Sequence, residues 1–369
     1  MVPQPEHASS QSSSGYEDGL GRRVLEFDRE TGGMLERIVL RPELSAFEQT
    51  LLERLAVVAG LEDERFPRPC AVERQAGRLT VVSQYLPGRR LSDIIECAAE
   101  HGIVAGLDAA LGLALEILPA LSRLHDVGLA HGALAPGRIM ITPAGQIALL
   151  DAIYADSLER LQLTRKRLWS ELRLAFPPTA GLARFERTAD LAHASMVAAT
   201  LTVGRVLQDK DYPEGIPHLR QEIHEIASIR GSKSFADAVD KFFAATLPLA
   251  GRRTTPTADE AAIDLRKLVR KELGINTCRN ALLEFLQQVD AADAERSIAE
   301  AAERDRRIAA AADAVRAEAE RTQWRDVEPA ARSAEPASGG KRAARAEAER
   351  AEAARIERCL LYTSDAADE

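Results

Sequence analysis

Residues able to support chemistry gather between Leu124 and Asp151, in the run LHDVGLAHGALAPGRIMITPAGQIALLD. The run reads as a helix end, a tight loop, a short strand, a turn and a second strand. Many enzymes present catalytic groups at a cleft in that order. Asp151 ends the second strand and is a carboxylate of the kind that holds a divalent cation. The loop before it, HGALAPGR, holds alanines, glycines and a proline where reaction chemistry would need charge, and its one fixed charge is Arg138.

The flanking elements must position that loop. RRVLEFD, RETGG and MLERIVL read as a hairpin turning near Gly32 and Gly33. LSAFEQTLLERLAVVAGL reads as a helix with a Ser45/Glu48 capping box, an apolar face of Leu51, Leu55 and Val58, and a stop at Gly60. CAVERQAGRLTVVSQYL adds two strands about Ala76 and Gly77. Residues 105–127 carry leucines at helical spacing, with Pro119 inside the run as an expected kink. Beyond Asp190 nearly everything is helical, including a segment opened by a Thr257/Glu260 capping box.

A small sheet with one helix, a linker, then a helical lobe with a loop–strand–turn–strand insert resembles the eukaryotic-type (Hanks-type) serine/threonine protein kinase superfamily. The resemblance covers 19–272 and rests on ordered landmarks. VVSQYLPGRRLSDII is similar to the hinge, which makes Ser83, Gln84, Tyr85 and Leu86 nucleotide-binding candidates. HGALAPGR is similar to the catalytic loop, LLDAI to the metal-binding strand end, and ADLAHASMVAATLTVGR to the central helix of the large lobe. Asp190 then falls where the family holds the catalytic loop from below. The implied fold is α+β and two-lobed, with a C-terminal helical extension.

The family moves phosphate with few parts, and most are missing. The first lysine in the chain is Lys166, so the third strand offers Ile38, with Arg37 beside it, where a lysine is needed. Arginine does not simply replace a lysine point charge in a tight slot. Glu53 best matches the helix glutamate, but without a lysine it reads as an exposed carboxylate. The base aspartate is Ala133, the following lysine is Ala135, and the metal-binding asparagine is Arg138, a cation where a cation should bind. His131 is a retained framework residue. The lid GYEDGLGRRV lacks the G-x-G-x-x-G order, and Glu17, Asp18 and Glu26 put negative charge near the phosphate position. Only Asp151 matches a reactive position, as a metal candidate without its partners. The family's activation-segment ion pair is replaced by Thr179 and Thr255. Residues 154–176 read either as a helix covering the cleft or as a basic, amphipathic partner surface.

Composition sets the outer bounds. The 369 residues are 46% hydrophobic, 28% charged and 4% aromatic, which suits a globular protein with an aliphatic core. A net charge of −9 gives no reason to expect nucleic acid. Cys70, Cys97, Cys278 and Cys359 are scattered, so neither a zinc site nor a disulfide scaffold is expected. Neither a signal peptide nor an apolar run long enough for a membrane span is visible, which makes the cytoplasm the expected location. The expected organisation is a disordered tail (1–18), a small lobe (19–86), a large lobe (87–272), a helical extension (273–325), a low-complexity linker and helix (326–358) and an artefact tail (359–369). That last segment, CLLYTSDAADE, reads as translated sequencing adapter, so the natural chain is expected to run on. In the extension, Ile298, Ile308 and Val315 form a thin stripe that suits a solvated helix better than a coiled coil.

The functional expectation is a pseudokinase: a scaffold or protein-binding module with no cofactor, which meets another protein through 154–176 or the C-terminal helices. One alternative is an atypical kinase or ATPase that uses Asp151 with ATP and magnesium. Another is a helical adaptor unrelated to kinases.

Overall fold

The fold was established from a computed structural model, which describes residues 16–29, 32–75, 77–176, 181–247 and 255–327. Strands β1 (Tyr16–Asp18), β2 (Gly21–Asp28), β3 (Gly33–Leu40), β4 (Pro69–Gln75) and β5 (Arg78–Gln84) form an antiparallel sheet in the order β1-β2-β3-β5-β4. Residues 16–18, expected to belong to a disordered tail, are strand β1. Tyr16, Glu17 and Asp18 pair with Arg23, Arg22 and Gly21 at the edge of the sheet. The expectation of a helical adaptor without such a lobe is overturned by this sheet.

Helix α1 (Glu48–Ala59) lies against the sheet through Leu51 and Val58, and Gly60 closes it with its N–H on the carbonyl of Val57. The expected Ser45/Glu48 box does not form. Pro42 opens a 3-10 turn over Pro42–Phe47, so Ser45 lies inside that turn rather than at a helix start. The Thr257/Glu260 box does form, at the head of α9 (Ala258–Glu272).

The large lobe starts with α2 (Leu91–Glu100) and α3 (Gly106–Asp126), and α3 continues as helix through Pro119. A short sheet of β6 (Arg89–Arg90), β7 (Ile139–Ile141) and β8 (Ile147–Leu149) carries the site loop. Helices α4 (Ala155–Arg160), α5 (Arg165–Leu172), α6 (Arg187–Val203), α7 (Ile216–Arg230) and α8 (Lys233–Thr246) follow before α9. Helix α6 is buried continuously from Ala189 to Thr202, so its alanines and leucines form the axis of the lobe.

Helix α10 spans Ile275–Val327, and the chain divides into two units, Met1–Ser297 and Ile298–Glu369. The first unit includes the start of α10, where Cys278, Leu282, Phe285 and Val289 are buried. The expected extension from 273 thus begins as part of that unit. In the second unit Ile298, Ile308 and Val315 are 70%, 59% and 70% exposed, which is the solvated helix rather than a packed seam. The artefact tail, the linker from 328 on and Thr179 lie outside the described residues. Among the described residues no helix is long and apolar enough to cross a membrane.

Candidate functional site

The cleft between the lobes is closed by its own charges. Arg23 points inward from β2 and bonds three carboxylates: Asp18 at 3.0 Å, Glu36 at 3.2 Å and Asp151 at 2.5 Å. Arg90 joins Glu36 and donates to the Gly137 carbonyl at 2.7 Å. Arg138 reaches Asp151 at 3.5 Å and Asp18 at 3.9 Å, and donates to the carbonyls of Ala133 (3.2 Å) and Leu172 (3.0 Å). Three guanidiniums and three carboxylates thus neutralise one another out of water. Burial pulls the Arg138 pKa down; it also opposes the charge on Arg23, but Asp151, Asp18 and Glu36 outweigh it there and raise the pKa. Burial likewise raises the Asp18 carboxyl, yet Arg23, Arg138 and the Leu20 N–H leave it below its ordinary value.

Sheet register explains how Arg23 gets there. It lies directly across from Ile38, the position where a lysine was sought. Ile38 itself is core, 1% exposed. Arg37, one residue earlier, is on the opposite face and pairs with Glu26 and Glu73. Glu26 is accordingly outside the cleft, contrary to the sequence reading, and Glu17 is exposed at its edge, while Asp18 enters it.

The lid is a two-residue hairpin, Gly19–Leu20, whose turn is fastened by the Asp18 carboxylate accepting from the Leu20 N–H at 2.8 Å. Leu20 is fully buried. Gly19 presses on α5 so closely that a Cβ there would lie 2.3 Å from the Glu171 carbonyl oxygen and 2.5 Å from Leu172. Gly19→Ala is therefore expected to lift the lid and cost about 1–3 kcal/mol. Hydrogen exchange would show it as protection lost at both 18–22 and 168–172; loss confined to the lid would refute the contact.

Of the hinge candidates, the N–H groups of Gln84 and Tyr85 already donate to the carbonyls of Arg68 and Met34. Ser83, Gln84, Tyr85 and Leu86 line a cavity of about 30 Å³ with Met140, Leu150 and the buried Tyr154. Glu53 faces solvent and, among the described residues, accepts only from Gln49. Its neighbour Arg54, which sequence reasoning missed, turns inward and donates to the carbonyls of Ala130 (2.5 Å) and Ala152 (2.8 Å) and to Asp156 (3.0 Å). An arginine on the buried phase of α1, beside Leu51 and Val58, was the available signal.

Under the loop, Asp190 is fully buried and accepts from the N–H groups of His131 (2.7 Å) and Gly132 (2.6 Å) and from His125 Nε2 (2.8 Å). Ala133, Ala135 and Arg138 are all buried. Thr255 is half-buried just ahead of α9. Burial holds the imidazoles of His131 and His193 at pKa values of about 4, although Asp190 favours their charge. The unfolded chain binds protons on these groups below about 6.5 and the folded chain does not. Stability is therefore full above that pH and falls as pH drops toward 4, by about 2 kcal/mol per imidazole at pH 5. Urea midpoints at pH 7 and pH 5 check this; equal midpoints would contradict it.

Helix α5 carries the centre of the 154–176 segment. Leu168, Trp169 and Leu172 are buried against the body, so the apolar stripe is already used, while Lys166 and Arg167 face solvent and Arg167 is paired with Glu171. The last turn of α5 meets the site loop, where the Leu172 carbonyl accepts from Arg138. Among the described residues no cluster of three or more His, Cys, Asp or Glu is arranged to hold a metal.

Known proteins share this architecture. No family model matches the chain. The serine/threonine-protein kinase PksC of Streptomyces coelicolor is 24% identical over 184 residues, 48% of this chain and 33% of the relative, so the chain spans about a third of that protein's length. The Mycobacterium tuberculosis PknI kinase domain matches with a TM-score of 0.51 and 18% identity, over 69% of this chain and 92% of that one. The maize SIRK1 kinase domain, solved bound to AMP-PNP, matches with a TM-score of 0.53 and 14% identity, over 73% and 97%. These likenesses show a two-lobed, α+β protein-kinase-like fold.

Proposed function

We propose that this chain is a pseudokinase, a protein-binding or scaffolding module of the cytoplasm that transfers no phosphate. The observation carrying this reading is the capture of Asp151, the one carboxylate at a metal-binding position, by Arg23 and Arg138. A magnesium ion would have to displace two buried guanidiniums and then repel them at short range. A nucleotide would meet a hinge cavity of about 30 Å³, where ligand sites ordinarily offer at least about 300 Å³. Alanines stand where the base and its neighbouring lysine would act. The residues present do not fit a magnesium nucleotide.

The test is direct. Thermal unfolding of the full chain with millimolar ATP and magnesium is expected to show no shift, and radiolabelled ATP no transfer to the chain or to a generic acceptor protein. A stabilisation of several degrees, or transfer lost in Asp151→Asn, would overturn the reading in favour of an atypical kinase or ATPase.

A further inference from the structure

A second cavity, of about 340 Å³, lies beyond the charged cluster, between β1, α2, the site loop, α5 and α6. It is large enough for a small organic ligand. Its apolar wall is Leu134, Leu172, Met196 and Leu207. Two buried side chains that line it, His193 and Trp169, have ring nitrogens (both of His193, Nε1 of Trp169) with no hydrogen-bond partner among the described residues. His193 is 1% exposed and Trp169 4%. The nearest carboxylate oxygen to His193, on Asp190, is 4.0 Å away, too long for a hydrogen bond. Buried polar atoms left this way cost stability, so a side-chain pair of this kind marks a place where a ligand can supply the missing partners.

The mouth has a definite charge. Of its carboxylates, Asp18 and Glu171 are neutralised by Arg23 and by Arg41 and Arg167, and Arg173 is paired with Asp209. Glu17 and Glu96 are exposed and, among the described residues, have no cation within ion-pair distance. We infer that this cavity binds a small organic cation: an apolar body against Met196 and Leu207, an acceptor atom taking the Trp169 and His193 N–H groups, and an ammonium between Glu17 and Glu96. The cavity shares Asp18 and Arg138 with the charged cluster and none of the hinge residues Ser83 to Leu86.

Tyramine has all three features and serves as the probe. 4-Ethylphenol lacks the cation, and 3-(4-hydroxyphenyl)propionate reverses its sign. The chain has two tryptophans, so Trp324→Phe leaves Trp169 as the sole reporter inside the cavity. Tyramine is expected to change its emission saturably, binding about tenfold more tightly than 4-ethylphenol, with no saturation by the propionate. Glu17→Gln with Glu96→Gln, both on exposed positions, is expected to remove that preference and leave 4-ethylphenol binding unchanged. His193→Phe is expected to weaken both ligands about tenfold without lowering Tm, because it removes polar atoms that have no partner in the free chain. No saturable response to tyramine, equal binding of amine and phenol, or affinities unmoved by the glutamate pair would each overturn the assignment.

Discussion

Asp151→Asn destabilises the folded chain by about 3–5 kcal/mol, the cost of leaving buried charges without their counter-ion. Arg23 and Arg138 share Asp151, and all three side chains are at most 5% exposed, so water cannot substitute for the lost carboxylate. In a working metal site the same change would remove charge repulsion from the metal-free protein and leave its stability little changed. The measurement is a urea or thermal unfolding midpoint, and the expected Tm loss is on the order of 10 °C. A second comparison isolates the pair: Arg23→Met combined with Asp151→Asn should cost less than the sum of the single changes, with a coupling of about 2 kcal/mol or more. A midpoint unmoved by Asp151→Asn would mean the charges are not closed on one another.

Asp190→Ala has an equally large expected effect, about 4 kcal/mol or more, because it leaves three buried donors without an acceptor. Much of the protein should then be insoluble on expression. Asp190→Asn is expected to rescue little: its amide offers one oxygen to donors that now reach two, and its NH₂ would face an N–H. Soluble yield and unfolding midpoint read the outcome; an asparagine variant as stable as the parent would contradict it.

The architecture could be read from the sequence because it is written in local signals. The hairpin turn at Gly32 and Gly33, the leucine spacing of 105–127 and the Thr257/Glu260 box each depend on a few adjacent residues, and each is present. The absences at 38, 133 and 138 were equally readable, since a missing lysine needs no structure to notice. What replaced the lost groups was not. Arg23 and Glu36 meet Asp151 and Arg90 across distances in sequence that no spacing rule connects. Position 23 could have been found only by counting the hairpin register back from its turn to Ile38. Arg37, the adjacent candidate, failed because a strand sends neighbours to opposite faces. Glu53 and Arg54 make the same point on a helix, where a single step rotates a side chain from solvent into the core. Ser45 misled because a proline three residues earlier had already begun a tighter turn.

The Arg23–Asp151 contact joins residues 128 apart in the chain and bridges a strand of the small lobe to the floor of the large one. A kinase-like hinge normally lets two lobes breathe, and breathing requires an interface that can rewet at little cost. Here opening would expose three guanidiniums and three carboxylates whose charges are balanced by one another. Hinge motion and unfolding are thereby coupled: the small lobe cannot swing without giving up the contacts that keep it folded. The two lobes should melt in one transition.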